Sequence, residues 1–220
     1  MSYYYSNNSQ GGGFLSGMPR VTKNILIINI ILFAATWLGE RVLHSDLMSS
    51  FVLYDPASHY FKIWQPITYM FMHGGFWHIL FNMYTLFVFG GVVERMIGEK
   101  KFLLFYILSG LGAAALHIAI SRLFIGASSP MVGASGAIYG LLIAYAMLFP
   151  DSHLTLLFPP VTLSAKWMVV IFAGIELFTG ITGTAEGIAH FAHLGGMIVG
   201  FILIWYWRKT GKLFERENFK

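Results

Sequence analysis

Three apolar segments of the chain contain polar side chains of the types that hydrolytic enzymes use. Ser135 lies in PMVGASGAIYG (130–140), among glycines and alanines. His78 and Asn82 lie in HILFN, and His190 and His193 lie in AHFAHLGGMIVG (189–200). A serine becomes a nucleophile when a base takes its proton, and a neutral histidine is the usual base. Histidine and asparagine side chains can also donate hydrogen bonds to an oxyanion. If these segments meet, they predict acyl transfer at the serine.

The two histidines three residues apart raise metal binding as an alternative. His73 and His78 could join His190 and His193 in a ligand set. However, the chain has no HExxH sequence, and no carboxylate is evidently placed to complete the set. It also has no cysteine, which excludes thiolate ligands and disulfides. We therefore expect no metal and no other cofactor, and a structural role for His190.

The composition is that of a polytopic membrane protein. Of 220 residues, 56% are hydrophobic and only 11% are charged, and the mean hydropathy is +0.66. A soluble domain of this size has about a quarter charged residues. The length suits one bundle without a second large domain. Six apolar stretches, several of them near the ~20 residues that span a bilayer, predict an all-α, six-transmembrane-helix bundle: 24–42, 75–95, 102–121, 135–149, 167–181 and 188–207.

The lysines and arginines give the orientation of these spans. An even number of spans puts both termini on one side of the membrane. With both termini in the cytoplasm, eleven of the 14 basic residues lie inside and three lie outside, which are Arg41, Lys62 and Arg122. Cytoplasmic loops carry such an excess of positive charge. The same distribution explains the net charge of +4 without nucleic-acid binding.

This topology places the polar groups of three helices at one depth. Spans 2, 4 and 6 all enter from the outer side, and each has its polar side chains within its first turns. Ser135 to Phe149 is 15 residues, or about 22 Å of helix, which is roughly 8 Å less than a ~30 Å hydrocarbon core. We therefore expect Ser135 to lie recessed below the outer surface, in a cavity that holds water.

Small residues predict close contact between spans 4 and 6. Two glycines four residues apart let helix backbones approach closely in lipid. Such pairs occur on both spans, as Gly136 with Gly140 and Gly196 with Gly200. His193 shares a face with the second pair, so this packing would bring it beside Ser135. Tyr139, four residues after Ser135, is placed to stack on the imidazole.

Other parts of a hydrolytic site are only partly visible. The N-terminus of span 4 has free N–H groups and a positive dipole end, and Gly133 lets the backbone turn tightly beside a substrate carbonyl. An acid that orients His193 is not evident. Glu186 lies about 10 Å from His193 along a helix, which is too far for direct contact. Glu176 and His117 are both expected to be buried, hydrogen-bonding residues of the bundle. The prediction is therefore a Ser–His dyad.

Four motifs resemble those of the rhomboid intramembrane serine proteases. They are GASG (133–136), HGGFWHILFN (73–82), AHLGGMIVG (192–200) and GGVVE (90–94), and the resemblance covers about residues 20–210. One departure is Trp64-Gln65, which stands where members often have Trp-Arg in the first outer loop. The departure concerns how this loop is anchored and leaves the chemistry unchanged.

The resemblance also implies roles for single residues. Ser135 would be the nucleophile, and His193, not His190, the base. The other implied site residues stabilise the oxyanion or line the site: His78 and Asn82 with the Ser135 N–H as donors, Gly133 beside them, Tyr139 stacked on the catalytic imidazole, and Phe81 near the substrate entrance.

The activity that the resemblance implies is that of a serine endopeptidase without a cofactor. It would cleave the transmembrane segments of single-pass membrane proteins, after a small residue such as alanine, and its partners would be these substrates and membrane lipid. The alternative is a catalytically silent rhomboid-like factor that binds membrane proteins, and the presence of both Ser135 and His193 favours the protease. A transporter fits poorly, because the polar groups cluster near one face and not at the bilayer centre.

We expect three segments along the chain. Residues 1–19 would be a disordered cytoplasmic tail, 20–210 the six-helix protease domain, and 211–220 a cytoplasmic C-terminal tail. The first span has no small-residue cleavage site behind it and would be retained. The longest connection, 44–74, would be an aromatic-anchored outer loop. The protein would belong to a bacterial cytoplasmic membrane, with its active site toward the outer face.

Overall fold

A computed structural model describes residues 17–126, 129–156, 160–183 and 188–214. Most of the predicted N-terminal tail (1–19) and much of the C-terminal tail (211–220) therefore lie outside the described residues. Glu186, one of the two acids considered as a partner of His193, also lies outside them.

Six helices of 14 or more residues occur in the described part of the chain, and each corresponds to one predicted apolar stretch. They are α1 Arg20–Val42, α2 Phe76–Ile97, α3 Glu99–Ile125, α4 Ser135–Leu148, α5 Ala165–Thr182 and α6 Ile188–Lys209. All but α4 are long and apolar enough to cross a membrane. The predicted helical membrane bundle is therefore confirmed as a class, with five helices of spanning length and one shorter apolar helix.

Helix α4 is short because the chain cannot continue it past Pro150. It has 14 residues, which corresponds to about 21 Å. A two-stranded antiparallel hairpin, β1 His153–Thr155 and β2 Thr162–Ser164, follows it and leads into α5. This hairpin was not predicted, since strands of three residues are too short to show a periodic pattern.

Glycines bring α4 and α6 into backbone contact, as their spacing predicts. A Cβ on Gly196 would lie 1.8 Å from the Gly136 carbonyl oxygen, and one on Gly200 would lie 2.8 Å from that of Gly140. An adjacent face of α6 meets α3 in the same way, because a Cβ on Gly195 would lie 2.6 Å from the Gly112 carbonyl oxygen. Helix α6 is therefore fixed between two neighbours whose backbones it touches.

The connection between α1 and α2 is an ordered loop that packs on the bundle. It contains the 3₁₀ turns Met48–Ser50 and Tyr69–Phe71 and a short helix, Gln65–Thr68. Tyr69 is fully buried, and its hydroxyl donates to the Gly110 carbonyl of α3 at 2.7 Å. This buried contact attaches the loop to the centre of the bundle.

Trp64 and Gln65 anchor this loop without the arginine of the Trp-Arg pair. Gln65 is fully buried, accepts a hydrogen bond from the Tyr54 N–H at 3.3 Å and donates to the Tyr60 carbonyl at 3.1 Å. The Trp64 indole N–H donates to the Ser50 carbonyl at 3.0 Å. The Gln65 side chain therefore stabilises the loop by hydrogen bonds to the backbone of other loop residues.

On the opposite side of the bundle, Glu94 joins the helices α1 and α2. Its carboxylate accepts hydrogen bonds from the Val21 and Thr22 N–H groups, at 2.9 and 2.7 Å, and from the Thr22 hydroxyl at 2.7 Å. These N–H groups belong to the first turn of α1 and have no acceptor within the helix. A negative charge is also favourable at this end of the helix dipole. Glu94 therefore caps α1.

Candidate active site

Helices α4 and α6 place Ser135 and His193 in hydrogen-bonding contact. Ser135 is the first residue of α4, and its Oγ lies 2.9 Å from His193 Nε2. Tyr139 lies one turn further along α4 and stacks on the His193 ring, with ring centroids 4.2 Å apart and planes 8° apart. The stacked ring limits rotation of the imidazole, so Nε2 stays directed at the serine.

Glu176 of α5 is the third group at this site, and its sequence position did not predict that contact. Its carboxylate Oε2 lies 2.9 Å from His193 Nδ1 and 2.6 Å from His190 Nδ1. Its Oε1 accepts a hydrogen bond from the Tyr139 hydroxyl. Glu176 is buried and hydrogen-bonded, as expected, but its partners are the site residues themselves. The expectation that no acid contacts His193 is wrong.

One feature of the sequence could have indicated this contact. Glu176 is five residues before the end of the predicted span 5 (167–181), and His193 is five residues after the start of span 6 (188–207). Two antiparallel neighbours joined by a short loop bring such positions to one depth. The distance along one helix, which was used to reject Glu186, does not measure proximity between two helices.

Helix α2 supplies the histidine and asparagine on the other side of Ser135. The Asn82 Nδ2 donates to the His78 carbonyl of its own helix at 2.9 Å. Gly133 packs against the His78 ring so closely that a Cβ would lie 2.7 Å from Nε2, and its φ of +116° is one that other residues rarely adopt. The Ser135 N–H, in the first turn of α4, has no acceptor within the helix.

These side chains line one cavity of about 420 Å³. Its polar wall is formed by Ser135, His193, His78, Asn82 and Tyr139. Its apolar wall includes Trp77 and Phe81 of α2 and Phe172 of α5. Trp77 and Phe81 are 67% and 62% exposed and stack on each other with centroids 6.0 Å apart. The exposed aromatic pair therefore stands at the edge of the cavity between α2 and α5.

His190 and His73 lie next to the site without contacting Ser135 in the structure. His190 lies edge-on to His193, with ring centroids 6.2 Å apart. His73 is buried, and its ring meets His78 edge-on at 5.0 Å. Burial, and then the neighbouring His78, lower the pKa of His73 to about 4. This imidazole is therefore neutral at neutral pH.

The histidine and glutamate cluster also has the composition of a metal site. Glu176, His190 and His193 each offer one ligand atom, and these atoms lie within 4.8 Å of one another. Glu176 therefore supplies the carboxylate that the sequence pattern alone did not reveal. Two ligands about 2.0–2.1 Å from a tetrahedral zinc ion stand about 3.3 Å apart. Both histidine nitrogens lie closer than that to the same carboxylate oxygen. The observed arrangement is that of a hydrogen-bonded network.

The fold and site define an integral, multi-pass helical membrane protein with a Ser–His contact in a polar cavity. A family model described as Rhomboid domain matches residues 60–210. The chain therefore belongs to the rhomboid family.

Several relatives, two of them named as rhomboid proteases, are similar to this chain. It is 28% identical to Rhomboid protease AarA of Providencia stuartii, over 86% of this chain and 73% of the relative. It is 31% identical to Putative rhomboid protease YdcA of Bacillus subtilis (strain 168), over 64% and 67% respectively. It is 26% identical to Rhomboid-like protein 11, chloroplastic, of Arabidopsis thaliana, over 85% and 66%.

Some relatives are longer than this chain. The chain covers 66% of the length of Rhomboid-like protein 11, and 33% and 40% of the length of two further relatives. The family and its protease-named members support an intramembrane protease at the level of the family.

Proposed function

We propose that this protein is an intramembrane serine endopeptidase in which Ser135 is the nucleophile and His193 is the base. The observation that supports this most directly is the 2.9 Å contact between Ser135 Oγ and His193 Nε2 in a polar cavity. A lone serine in a membrane helix is more often a packing residue. A serine bonded to an imidazole that is itself stacked and hydrogen-bonded has the geometry of an activated nucleophile.

The reaction follows from the positions of these atoms. His193 Nε2 takes the hydroxyl proton as Ser135 Oγ attacks the substrate carbonyl carbon. The carbonyl oxygen becomes an oxyanion, which the Ser135 N–H and the side chains of His78 and Asn82 stabilise. The imidazolium then gives its proton to the leaving amine as the peptide C–N bond breaks. Water, activated by the same imidazole, hydrolyses the acyl-enzyme and releases the serine.

The oxyanion role of Asn82 requires a change of partner. In the structure its amide donates to the His78 carbonyl, so it must rotate to donate to an oxyanion. An amide carries two N–H donors, so one can stay on the helix carbonyl while the other turns into the cavity. Gly133 leaves room for the substrate carbonyl beside His78, because any side chain there would collide with the imidazole.

We propose that the substrates are transmembrane segments of single-pass proteins that enter between α2 and α5. The aromatic pair Trp77 and Phe81 on one side and Phe172 on the other give this entrance an apolar surface. The family resemblance implies a small residue, such as alanine, before the cut. The distribution of basic residues supports cytoplasmic termini and a site near the outer face. We propose a bacterial cytoplasmic membrane as the location and residues 20–210 as the protease domain.

The test combines a reactive probe with cleavage of a model substrate. Purified protein is incubated with a fluorophosphonate, the labelled residue is located by mass spectrometry, and cleavage of a single-pass substrate is followed. We expect labelling at Ser135 and loss of both readouts in Ser135→Ala and in His193→Ala. Ser121→Ala is the matched control, because Ser121 is a buried serine of α3 whose hydroxyl has no hydrogen-bond partner among the described residues.

Three results would count against the proposal. Cleavage by a folded Ser135→Ala variant would show that Ser135 is not the nucleophile. Activity in His193→Ala together with inactivity in His190→Ala would show that the base is His190 and not His193. A folded wild-type protein that neither cleaves nor reacts with the probe would support the catalytically silent alternative.

A further inference from the structure

We propose that Glu176 is a positioning residue for His193, so that the proposed dyad works as a Ser–His–Glu triad in which Glu176 stays ionised; this inference rests on the proposed function. The geometry that supports it is a continuous line of contacts across three helices. Ser135 Oγ lies 2.9 Å from one ring nitrogen of His193, and Glu176 Oε2 lies 2.9 Å from the other.

The Glu176 carboxylate determines which nitrogen of His193 has the proton. An ionised carboxylate only accepts hydrogen bonds, so the Nδ1 that faces it must be the protonated nitrogen. A neutral imidazole has one N–H, and the hydrogen bond at one nitrogen fixes the state of the other. Nε2 is therefore unprotonated and able to accept the serine proton. With the opposite tautomer, the ring would present an N–H to the serine and could not act as its base.

The carboxylate also stabilises the charge that forms during the reaction. When His193 takes the serine proton it becomes an imidazolium, and Glu176 is the acid in contact with it. Before the transfer the carboxylate accepts a hydrogen bond from a neutral ring, and after it the same hydrogen bond joins two opposite charges, which adds their Coulomb attraction. The interaction is therefore stronger after proton transfer than before it, which is the condition for accelerating the chemical step.

The surroundings of Glu176 are those of a carboxylate that is held in place. Only 5% of the residue is exposed, and a buried charge requires several hydrogen bonds to be tolerated. The Tyr139 hydroxyl donates to Oε1, and His190 Nδ1 lies 2.6 Å from Oε2. Tyr139 therefore has two contacts in the site, with the ring of the base and with the acid that orients it. His190 acquires a role as a second support for the carboxylate.

Glu176→Gln is the discriminating substitution, because it keeps the size of the side chain and removes its charge. Its amide can donate to His193 Nδ1 and so stabilise the unreactive tautomer. We expect kcat for a model substrate to fall about 10²–10⁴-fold, with KM within about twofold of wild type. Glu176→Asp keeps the charge but withdraws the carboxylate by one C–C bond, about 1.5 Å, and should recover part of the lost kcat. Glu40→Gln, on the exposed surface of α1, is the matched control and should leave kcat unchanged.

A spectroscopic measurement tests the positioning role without relying on activity. In protein labelled with ¹⁵N-histidine, in a Ser135→Ala background, the His193 signals are identified by their loss in His193→Ala. We expect His193 to be protonated on Nδ1 when Glu176 is present and to shift toward the Nε2-protonated form in Glu176→Gln. A purely structural role for Glu176 would leave this tautomer unchanged.

The outcomes separate this inference from the proposed function. Wild-type protein that neither cleaves nor labels would refute the protease. An active wild type with a Glu176→Gln variant of normal kcat and an unchanged His193 tautomer would refute only the positioning role. If Glu176→Gln does not fold, Tyr139→Phe tests the positioning role instead. Loss of the hydroxyl that donates to Glu176 Oε1 should lower kcat about tenfold. A normal kcat in Tyr139→Phe would overturn the inference. Loss of activity in EDTA, restored by zinc, would also overturn it and make the cluster a metal site.

Discussion

The contact between Gly136 and Gly196 gives the sharpest prediction about this site, because it connects a missing methyl group to the distance between two reacting atoms. Gly136 follows the proposed nucleophile on α4, and Gly196 is one turn after His193 on α6. An alanine at position 196 would put its Cβ 1.8 Å from the Gly136 carbonyl oxygen. The obstacle is backbone and not the end of a flexible side chain, so Gly196→Ala must move one helix away from the other.

The required movement can be calculated from the structure. A Cβ contact below 3.0 Å is essentially never observed, so the helices must separate by about 1.2 Å at this point. If all of this displacement reached Ser135 and His193, their contact would lengthen from 2.9 Å to about 4.1 Å, which is no longer a hydrogen bond. Since a general base contributes about 10²–10⁴-fold to the rate, most of the activity should be lost. The added strain should cost about 1–3 kcal/mol of stability.

The assay is the rate of fluorophosphonate labelling at Ser135, together with substrate cleavage and thermal unfolding in the same detergent. Gly174→Ala is the matched control, because a Cβ at position 174 of α5 would meet nothing within 4 Å, and we expect normal labelling. Gly200→Ala should have an intermediate effect, since its Cβ would lie 2.8 Å from the Gly140 carbonyl oxygen, further from the site. A folded Gly196→Ala protein that labels at the wild-type rate would show that this helix contact does not set the distance between serine and histidine.

Three further substitutions test other parts of the structure. Asn82→Ala should lower turnover by about 10²–10³-fold, which is the usual cost of removing one oxyanion donor; a normal turnover would show that Asn82 does not stabilise the oxyanion. His73→Leu should flatten the dependence of stability on pH. In the wild type, unfolded His73 takes up a proton as the pH falls through 6.5, whereas the pKa of folded His73 is lowered to about 4. The folded state therefore loses up to about 3 kcal/mol of stability as the pH falls, and the variant should not. Unfolding measured at pH 7 and 4.5 checks this, with the exposed His59→Leu as control, and an unchanged difference between the two pH values would contradict it. Gln65→Ala should destabilise the protein by about 1–3 kcal/mol by leaving loop groups unpaired, whereas the exposed Lys62→Ala should not; equal thermal unfolding of the two variants would contradict the anchoring role of Gln65.

The helices and the approach of α4 to α6 could be predicted because they depend on local patterns. Apolar stretches indicate helices of near-spanning length, and pairs of glycines four residues apart indicate where two helices touch. The structure differs from the predicted boundaries by only a few residues, as at α1, which begins at Arg20 and not at residue 24. Because the glycines fix how α4 and α6 pack, the contact of Ser135 with His193 was within reach of the sequence.

The position of Glu176 and the anchoring of the first loop depend on information that no single segment contains. Glu176 contacts His193 only because α5 and α6 are adjacent and antiparallel, and nothing in the α5 sequence indicates which way the carboxylate faces. The hydrogen bonds of Gln65 depend on the path of a loop with no periodic pattern. A polar residue in a span can therefore be identified as important before its partner can be named.

The two kinds of contact at the site should respond differently to substitution. The distance between Ser135 and His193 is set by backbone against backbone, at Gly136 and Gly196, so no rearrangement of side chains can compensate for an added methyl group there. The contact between Glu176 and His193 runs through a flexible side chain on α5, and the α5 glycines Gly174 and Gly180 do not touch the backbone of α6. A change at Gly196 should thus abolish the serine's reactivity, whereas a change at Glu176 should leave the serine in place and slow only the transfer of its proton. Labelling that is absent in the first variant and slow but complete in the second is the pattern this structure requires.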